Sequence, residues 1–162
     1  MSGYFDLMQV CTNGHVITDN AASLPHFRRP FCSICGESTI TACPVCQASI
    51  PGEYHVPGVL VLSGATSTAP NNCANCGVAF PWRQASLASA VEILEMDLEG
   101  QDAVDAAALV PLIATENPKT ELAALKLKRL MSKMTKPAYD VAIKVVSDLA
   151  SETAKKMLGM KP

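Results

Sequence analysis

The sequence has few aromatic residues, few charges and no long apolar run. Aromatic residues make up 5% of the 162 residues and charged residues 17%, whereas 49% are hydrophobic. The hydrophobic fraction indicates a folded chain, and the scarcity of aromatic side chains predicts that part of it depends on something other than a large core. No apolar stretch approaches the roughly 18 residues of a membrane helix, so we expect no membrane span.

The first residues also lack the basic and apolar regions of a signal peptide. We therefore expect a cytoplasmic protein, in which cysteines stay reduced. In a reducing compartment, cysteines in CxxC pairs usually indicate a metal site, and an odd number of cysteines, seven here, cannot all pair within one chain. Metal binding is the better interpretation, because seven cysteines and one histidine together supply the eight ligands of two four-ligand sites.

Three cysteine pairs have the spacing of zinc knuckles, in which two intervening residues let both thiolates face one tetrahedral ion. They are Cys32 with Cys35, Cys43 with Cys46, and Cys73 with Cys76. The remaining cysteine, Cys11, is followed by Asn13-Gly14 and His15, a turn that can bring the imidazole back toward the sulfur. The predicted metal ligands are Cys11, His15, Cys32, Cys35, Cys43, Cys46, Cys73 and Cys76, for two Zn²⁺ ions per chain.

The spacing leaves the pairing of the knuckles open. Sequential pairing joins the first two pairs at one ion and the last two at the other, as in two consecutive zinc ribbons. We favour it over a cross-brace of alternate pairs, because a ribbon needs only a short hairpin between its knuckles.

His26 and His55 compete with His15 for the eighth ligand position, but only His15 lies near an unpartnered cysteine.

Both sites would be structural, since sets of three or four cysteines leave no ligand position for a catalytic water. The zinc-deaminase pattern is absent: Ala42 precedes Cys43, Asn72 precedes Cys73, and no histidine is followed two residues later by glutamate. Thioredoxin-like redox chemistry normally uses a single pair in a βαβ setting, whereas these pairs lie in turn-rich sequence. We find no catalytic constellation and expect a protein that is not an enzyme.

The chain changes character near residue 84, which predicts a double zinc-ribbon module over residues 1–83 and a helical domain over residues 84–162. The first part alternates turns with short β-prone stretches at 4–10, 15–18, 38–41 and 54–62, where Pro57 permits only an edge strand. The fold class is therefore small α+β, with short strands followed by an all-α region.

Helical periodicity in the second part predicts four helices. The first carries Leu87, Val91, Leu94 and Leu98 and stops near Gly100; the second starts at Asp102 and is ended or kinked by Pro111. Asn117-Pro118 begins the third, with Asn117 as N-cap. The last helix starts near Pro137 and ends before Gly159, with these apolar positions on the last two helices: Ala123, Leu127, Leu130, Met131, Met134, Ala138, Val141, Ala142, Val145, Leu149 and Leu158.

Charge argues against an obvious nucleic-acid binder. Residues 1–84 have three basic and four acidic side chains, and the thiolates with two Zn²⁺ make the loaded module more negative, about −4. Residues 85–117 have seven acids and no lysine or arginine, whereas residues 118–162 have ten basic residues against four acids. We expect the acidic block to face the basic block, within a chain or between chains; binding of nucleic acid or an acidic membrane by the basic run from Lys126 to Lys136 is the alternative.

Several motifs resemble a family of uncharacterised bacterial proteins with an N-terminal double zinc ribbon and a C-terminal helical region. They are YFDLMQVCTNGHVIT at 4–18, FCSICG at 31–36, TITACP at 39–44, YHVPG at 54–58, FPW at 80–82, LAAL at 122–125 and SETAKK at 151–156. The resemblance covers nearly the whole chain. It implies bacterial origin, metal binding by the matching cysteines and His15, and no established activity.

Together these observations predict a zinc-binding, non-enzymatic interaction or adaptor protein, whose residues 84–162 bind a protein partner or form a homo-oligomer. The alternative is a nucleic-acid-binding regulator that uses Arg28 and Arg29 or the basic helix at 126–136.

Overall fold

The computed structural model describes residues 3–59 and 67–160 and divides the chain into two compact units, Met1–Ala85 and Ser86–Pro162. Short antiparallel strands come first and helices follow, so the α+β class predicted from the sequence is confirmed. Each unit has its own cluster of buried apolar side chains.

The first unit contains two small sheets. Strand β1 (Tyr4–Leu7) pairs with β5 (Pro51–His55), and β2 (Gln9–Cys11) lies between β3 (Val16–Thr18) and β4 (Thr39–Ile40). All three pairings are antiparallel, with Phe5 opposite Tyr54 in the first sheet and Val10 opposite Ile40 in the second. A short 3₁₀ turn, Pro25–Phe27, lies between β3 and β4.

Two of the predicted β stretches have different bounds. Residues 4–10 form two strands in different sheets, with Met8 between them donating its N–H to the Ile50 carbonyl at 2.9 Å. The strand expected over 54–62 instead spans Pro51–His55, and a turn at Gly58 (φ 80°) follows it. Residues 60–62 of that prediction lie outside the described part of the chain.

The core of the first unit is small and surrounds cysteines. Its buried members are Met8, Val10, Cys43, Ile50, Cys73, Phe80 and Trp82. The Phe80 and Trp82 rings stack with their centroids 4.7 Å apart, and the indole N–H donates to the Pro70 carbonyl at 2.9 Å. A core with two large aromatic rings gives limited burial, which fits a unit that needs further cross-linking.

The helices are α1 (Pro81–Glu95), α2 (Gly100–Ile113), α3 (Thr120–Met131), α4 (Lys136–Leu149) and α5 (Glu152–Leu158). The buried residues of the second unit include Leu94, Val110, Ile113, Leu127, Met131 and Val146. The stripe predicted on α3 is largely buried, with Leu127 and Met131 fully so, but Val141 on α4 is 53% exposed.

The structure differs from the predicted helices in four places. Helix α1 ends at Glu95, before Leu98, and α2 starts at Gly100 and contains Pro111, ending two residues after it. Asn117 is not the cap residue adjoining α3; its side-chain oxygen accepts the Lys119 N–H in the turn that precedes the helix. The single last helix is two, because Ala150 is extended (φ −68°, ψ 142°) and separates α4 from α5.

Candidate metal centres

The three cysteine pairs are shaped by the same backbone turn. In each, the N–H of the first cysteine donates to a carbonyl five residues later, and its carbonyl accepts the N–H of the residue four positions later. The residue after the second cysteine has a positive φ in all three turns: 77° at Gly36, 60° at Gln47 and 76° at Gly77. Short β-bridges flank each turn, at Phe31 with Ser38, Ala42 with Ser49, and Asn72 with Ala79.

The pair formed by Cys11 and His15 uses a related turn at the end of β2. The Cys11 N–H donates to the His15 carbonyl at 3.0 Å, and the Gly14 N–H donates to the Cys11 carbonyl at 2.8 Å. Gly14 has φ 90°, and a Cβ there would lie 3.0 Å from the Cβ of Trp82. The turn therefore needs glycine both for its conformation and for the close approach of the indole.

These turns bring the eight predicted ligands into two tetrads. Cys11, His15, Cys32 and Cys35 form the first, and Cys43, Cys46, Cys73 and Cys76 form the second; the ligand atoms of each tetrad all lie within 4.8 Å of one another. The grouping is sequential, as favoured from the sequence, and not a cross-brace.

The distances within each tetrad fit the edges of a metal-ligand tetrahedron. In the first, His15 Nδ1 lies 3.4 Å from Cys11 Sγ and 3.7 Å from Cys32 Sγ. In the second, Sγ separations are 3.8 Å for Cys43 with Cys76 and 3.6 Å for Cys46 with Cys73. Zinc bond lengths predict edges of about 3.8 Å between two sulfurs and about 3.6 Å between sulfur and nitrogen.

The same distances exclude disulfides, whose sulfurs are about 2.05 Å apart. All seven cysteines are free thiols. In each tetrad the first and third ligands are buried, the second is partly buried and the fourth is exposed. Each centre would thus lie at the edge of the unit, within reach of solvent on one side.

Backbone amides point at the sulfurs of the first tetrad. The His15 N–H donates to Cys11 Sγ at 3.2 Å and the Ile34 N–H donates to Cys32 Sγ at 3.4 Å. Burial disfavours ionisation of Cys32, but the hydrogen bonds from its surroundings outweigh it and lower the pKa of this thiol to about 7. Hydrogen bonds of this kind stabilise a thiolate, the form that binds metal.

In the second tetrad the pKa values of two thiols are shifted in opposite directions. The Asn75 side chain, and after it the Ala48 N–H, lower the pKa of Cys46 to about 6. For Cys76 the Val78 N–H acts in the same direction, but burial and the neighbouring thiols outweigh it and raise the pKa to about 12. A divalent cation would favour the thiolate form of all four, because it supplies the positive charge that protons otherwise supply.

The two competing histidines lie outside both tetrads. His26 contacts the Phe27 ring, with centroids 4.3 Å apart. His55 Nε2 lies 2.8 Å from the Asn20 side-chain oxygen and 3.6 Å from the Asp6 carboxylate. Of the three histidines, His15 alone shares a tetrad with cysteines.

Sequence reasoning missed the residues around the ligands. Asn75, which hydrogen-bonds Cys46, stands between the cysteines of the last pair, a place where any polar side chain is unremarkable in the sequence. Gln47 occupies the position that glycine fills in the other two knuckles. Alignment of the three knuckle sequences would have identified it as a residue forced into a positive φ.

Arg28 and Arg29 form hydrogen bonds within their own loop. Arg28 Nε donates to the Ala21 carbonyl at 2.8 Å. Arg29 Nη1 donates to the carbonyls of His26 and Arg28, each at 2.8 Å. These contacts orient both guanidinium groups toward the loop backbone.

Comparison with known proteins gives a family and nothing closer. No curated protein and no solved structure matches the chain. In the described residues, no helix combines the length and apolar character that crossing a membrane requires. A family model described as "uncharacterized protein conserved in bacteria" (DUF2321) matches residues 4–158. That span includes both tetrads and all five helices, and the chain belongs to this bacterial family.

Proposed function

We propose that the chain binds two Zn²⁺ ions, one in each tetrad. The observation that carries this proposal is the agreement of the nitrogen-sulfur and sulfur-sulfur distances with the edges of a zinc tetrahedron. Sulfur-rich tetrahedral sites favour zinc or iron–sulfur chemistry, and the imidazole in the first tetrad favours zinc.

The role proposed for the ions is structural. Four protein ligands fill a tetrahedral coordination sphere, so a bound ion has no position left for substrate or water. Each ion joins segments that are distant in sequence, such as Cys11 with Cys35 and Cys43 with Cys76. In a unit with a small apolar core, this cross-linking supplies folding free energy that burial alone does not.

Beyond metal binding, we infer a non-enzymatic interaction protein, in which the helical region binds a protein partner or another copy of the chain. Large apolar side chains on its surface support this role: Met96 is 84% exposed, Val104 61% and Leu122 57%. Exposed apolar groups next to segregated charge are typical of association surfaces.

Nucleic-acid binding is the second candidate, supported by the exposed cations of α3. Its weakness is the net negative charge of the metal-loaded first unit, which would repel a phosphate backbone. Salt-dependent retention of DNA or RNA that is lost on charge reversal at Lys126, Lys128 and Arg129 would favour this candidate over the first.

The zinc proposal is tested by native mass spectrometry with elemental analysis of the intact chain. We expect two zinc ions per chain, one fewer in His15→Ala, and two still in the matched variant His26→Ala. One ion or none in the wild-type chain, or equal losses in both histidine variants, would contradict the eight-ligand scheme.

The interaction role needs a separate test, because the metal count does not bear on it. Affinity capture from the native cell, combined with size measurement of the purified chain, should give a stoichiometric protein partner or a defined oligomer. A monomer with no partner in both experiments would count against it.

A further inference from the structure

Some acids of the helical unit have partners within the chain. Asp97 accepts hydrogen bonds from the backbone N–H and the hydroxyl of Thr135, at 2.7 and 3.0 Å. Asp102 forms an ion pair with Lys133, at 2.6 Å. Glu116 makes a third such contact, because it accepts the Thr153 N–H at 3.0 Å. These contacts join the acidic block to the basic block through three of its seven acids.

A groove of about 440 Å³ lies between α2 and α3, with cations along one wall. Lys126 and Arg129 lie on α3, and Lys133 lies in the turn two residues beyond its end. Asp105 is the only acid among the lining residues; the rest of the lining is apolar, from Ala108, Leu109 and Leu130. Among the ion pairs of the described residues, none involves Lys126 or Arg129.

Acidic side chains run from the end of α1 to the start of α2. Glu92 and Glu95 lie near the end of α1, and Glu99 is the extended residue (φ −121°, ψ 160°) that precedes α2; all three are exposed. Met96, in the middle of this acidic edge, is the most exposed of the large apolar side chains, at 84%. No ion pair in the described part of the chain involves any of these three glutamates.

We propose that the groove between α2 and α3 binds the acidic edge of a second copy of this chain, defined here as Glu92, Glu95, Met96 and Glu99. In a two-fold dimer the contact occurs twice, because each copy presents one groove and one acidic edge. The carboxylates would meet the cations of α3, and Met96 would lie on the apolar floor of the groove. This inference rests on the self-association form of the proposed function.

The shape of the groove favours this occupant over other anions. Cations that spread along the end of α3 and the turn after it suit a ligand with several separated charges, whereas a lone phosphate is bound by donors that converge on one point. A nucleic-acid backbone has distributed charge, but its phosphates would gain nothing from the floor of Leu109 and Leu130. The acidic edge, with three glutamates and one exposed methionine, complements both features.

An interface with exposed ion pairs should be sensitive to salt, because screening weakens such pairs. Sedimentation velocity of the full zinc-loaded chain should therefore show a dimer at low ionic strength and at least a tenfold weaker association at 0.5 M salt, where the Debye length is about half that at 0.1 M.

Charge exchange gives the decisive test. Lys126→Glu with Arg129→Glu makes the groove acidic, and Glu92→Lys with Glu95→Lys makes the edge basic. Each double variant alone should be monomeric, because like charges then meet at both contacts. An equimolar mixture should form a one-to-one dimer, since groove and edge are again complementary at both contacts.

Lys144→Glu, a charge reversal at an exposed site on α4, is the control and should leave the dimer unchanged. Far-UV circular dichroism and zinc content check that every variant is folded. A wild-type monomer at low salt, dimers of either double variant alone, or a folded mixture that fails to associate would overturn the proposal. A monomer that captures a nucleic acid or a different protein through the groove would overturn it too. Capture of a different protein would still leave the proposed interaction role intact.

Discussion

Gln47 has a backbone conformation that its side chain disfavours. With φ 60° it is the only non-glycine residue with positive φ in the described chain, and it follows Cys46 where Gly36 and Gly77 follow the other knuckles. A residue with a Cβ costs about 1–2 kcal/mol in this region, whereas glycine adopts it freely at some cost in unfolded-state entropy. We expect Gln47→Gly to stabilise the zinc-loaded chain by about 0.5–1 kcal/mol in denaturant unfolding.

The matched control is Gly77→Ala at the equivalent position of the last knuckle. A Cβ on Gly77 would contact nothing within 4 Å, so any effect comes from backbone conformation and not from a clash. This variant should lose about 1 kcal/mol. Equal effects of the two substitutions, or destabilisation by Gln47→Gly, would show that the knuckle turns are not equivalent.

Asp6 is a buried carboxylate that organises the loop after β3. Its side chain is inaccessible to solvent, and it accepts hydrogen bonds from the Ala22 N–H at 2.9 Å, the Ser23 N–H at 3.2 Å and the Ser23 hydroxyl. Asp6→Ala leaves these donors without their acceptor and should destabilise the first unit by about 2 kcal/mol, measured by unfolding at neutral pH. Asp6→Asn keeps one acceptor oxygen and should lose less.

The pKa of Asp6 determines how its contribution to stability changes with pH. Burial acts to raise the pKa, but the hydrogen bonds from Ser23, Leu7 and Ala22 outweigh it, so the pKa lies below its ordinary value of 3.8. The stabilisation is therefore complete above pH 3.8 and is lost as the pH falls through the lower folded value. The stability difference between wild type and Asp6→Asn should therefore shrink as the pH is lowered from 5 to 3; a difference that stays constant across this range would contradict the assignment.

At the scale of elements, the sequence predicts what short-range spacing controls and misses what tertiary contacts decide. The knuckles follow from two-residue spacing, because a local turn places both sulfurs. The break between α4 and α5 was missed, although Leu149 and Leu158 are nine residues apart and would lie on opposite faces of one continuous helix. The break depends on Ser151, whose N–H donates to the Ile113 carbonyl of another helix at 2.8 Å.

Ser151 is the N-cap residue just before α5, which is only seven residues long. Its hydroxyl accepts the Ala154 N–H at 3.3 Å, an N-cap that satisfies one of the first free amides of the helix. Ser151→Ala should cost about 1 kcal/mol, and amide hydrogen exchange should show faster exchange in α5 than in α4. Ser151→Asp, which keeps a capping oxygen, should retain protection; loss of protection along α4 as well would mean that the two helices are one cooperative segment.

At the scale of the whole molecule, the two units depend on different sources of stability. The buried cluster of the second unit is made of aliphatic, methionine and alanine side chains from all its helices. The cluster of the first unit includes two of the cysteines themselves. The sequence predicts this difference, because cysteines and turn residues are concentrated in the first part of the chain and helical periodicity in the second. The stack of Phe80 on Trp82 beside the metal-binding turns could not be predicted from the sequence, because it depends on tertiary packing.

Trp82 makes this difference measurable, because it is the only tryptophan in the chain and belongs to the core of the first unit. It is 7% exposed and packs against the Gly14 turn of the first tetrad. Removal of zinc by a strong chelator should release this turn and expose the indole, so its emission should shift to longer wavelength. The far-UV circular dichroism of the helices should persist, since their core contains no metal ligand.

A helical signal that disappears together with the emission shift would show that the second unit depends on the metal. The control is Lys144→Glu, which alters neither core and should behave as wild type. Re-addition of zinc should restore the emission, whereas magnesium should not, because thiolate tetrads bind it poorly. The two spectroscopic signals thus separate the metal-dependent unit from the helical unit within one titration of the intact chain.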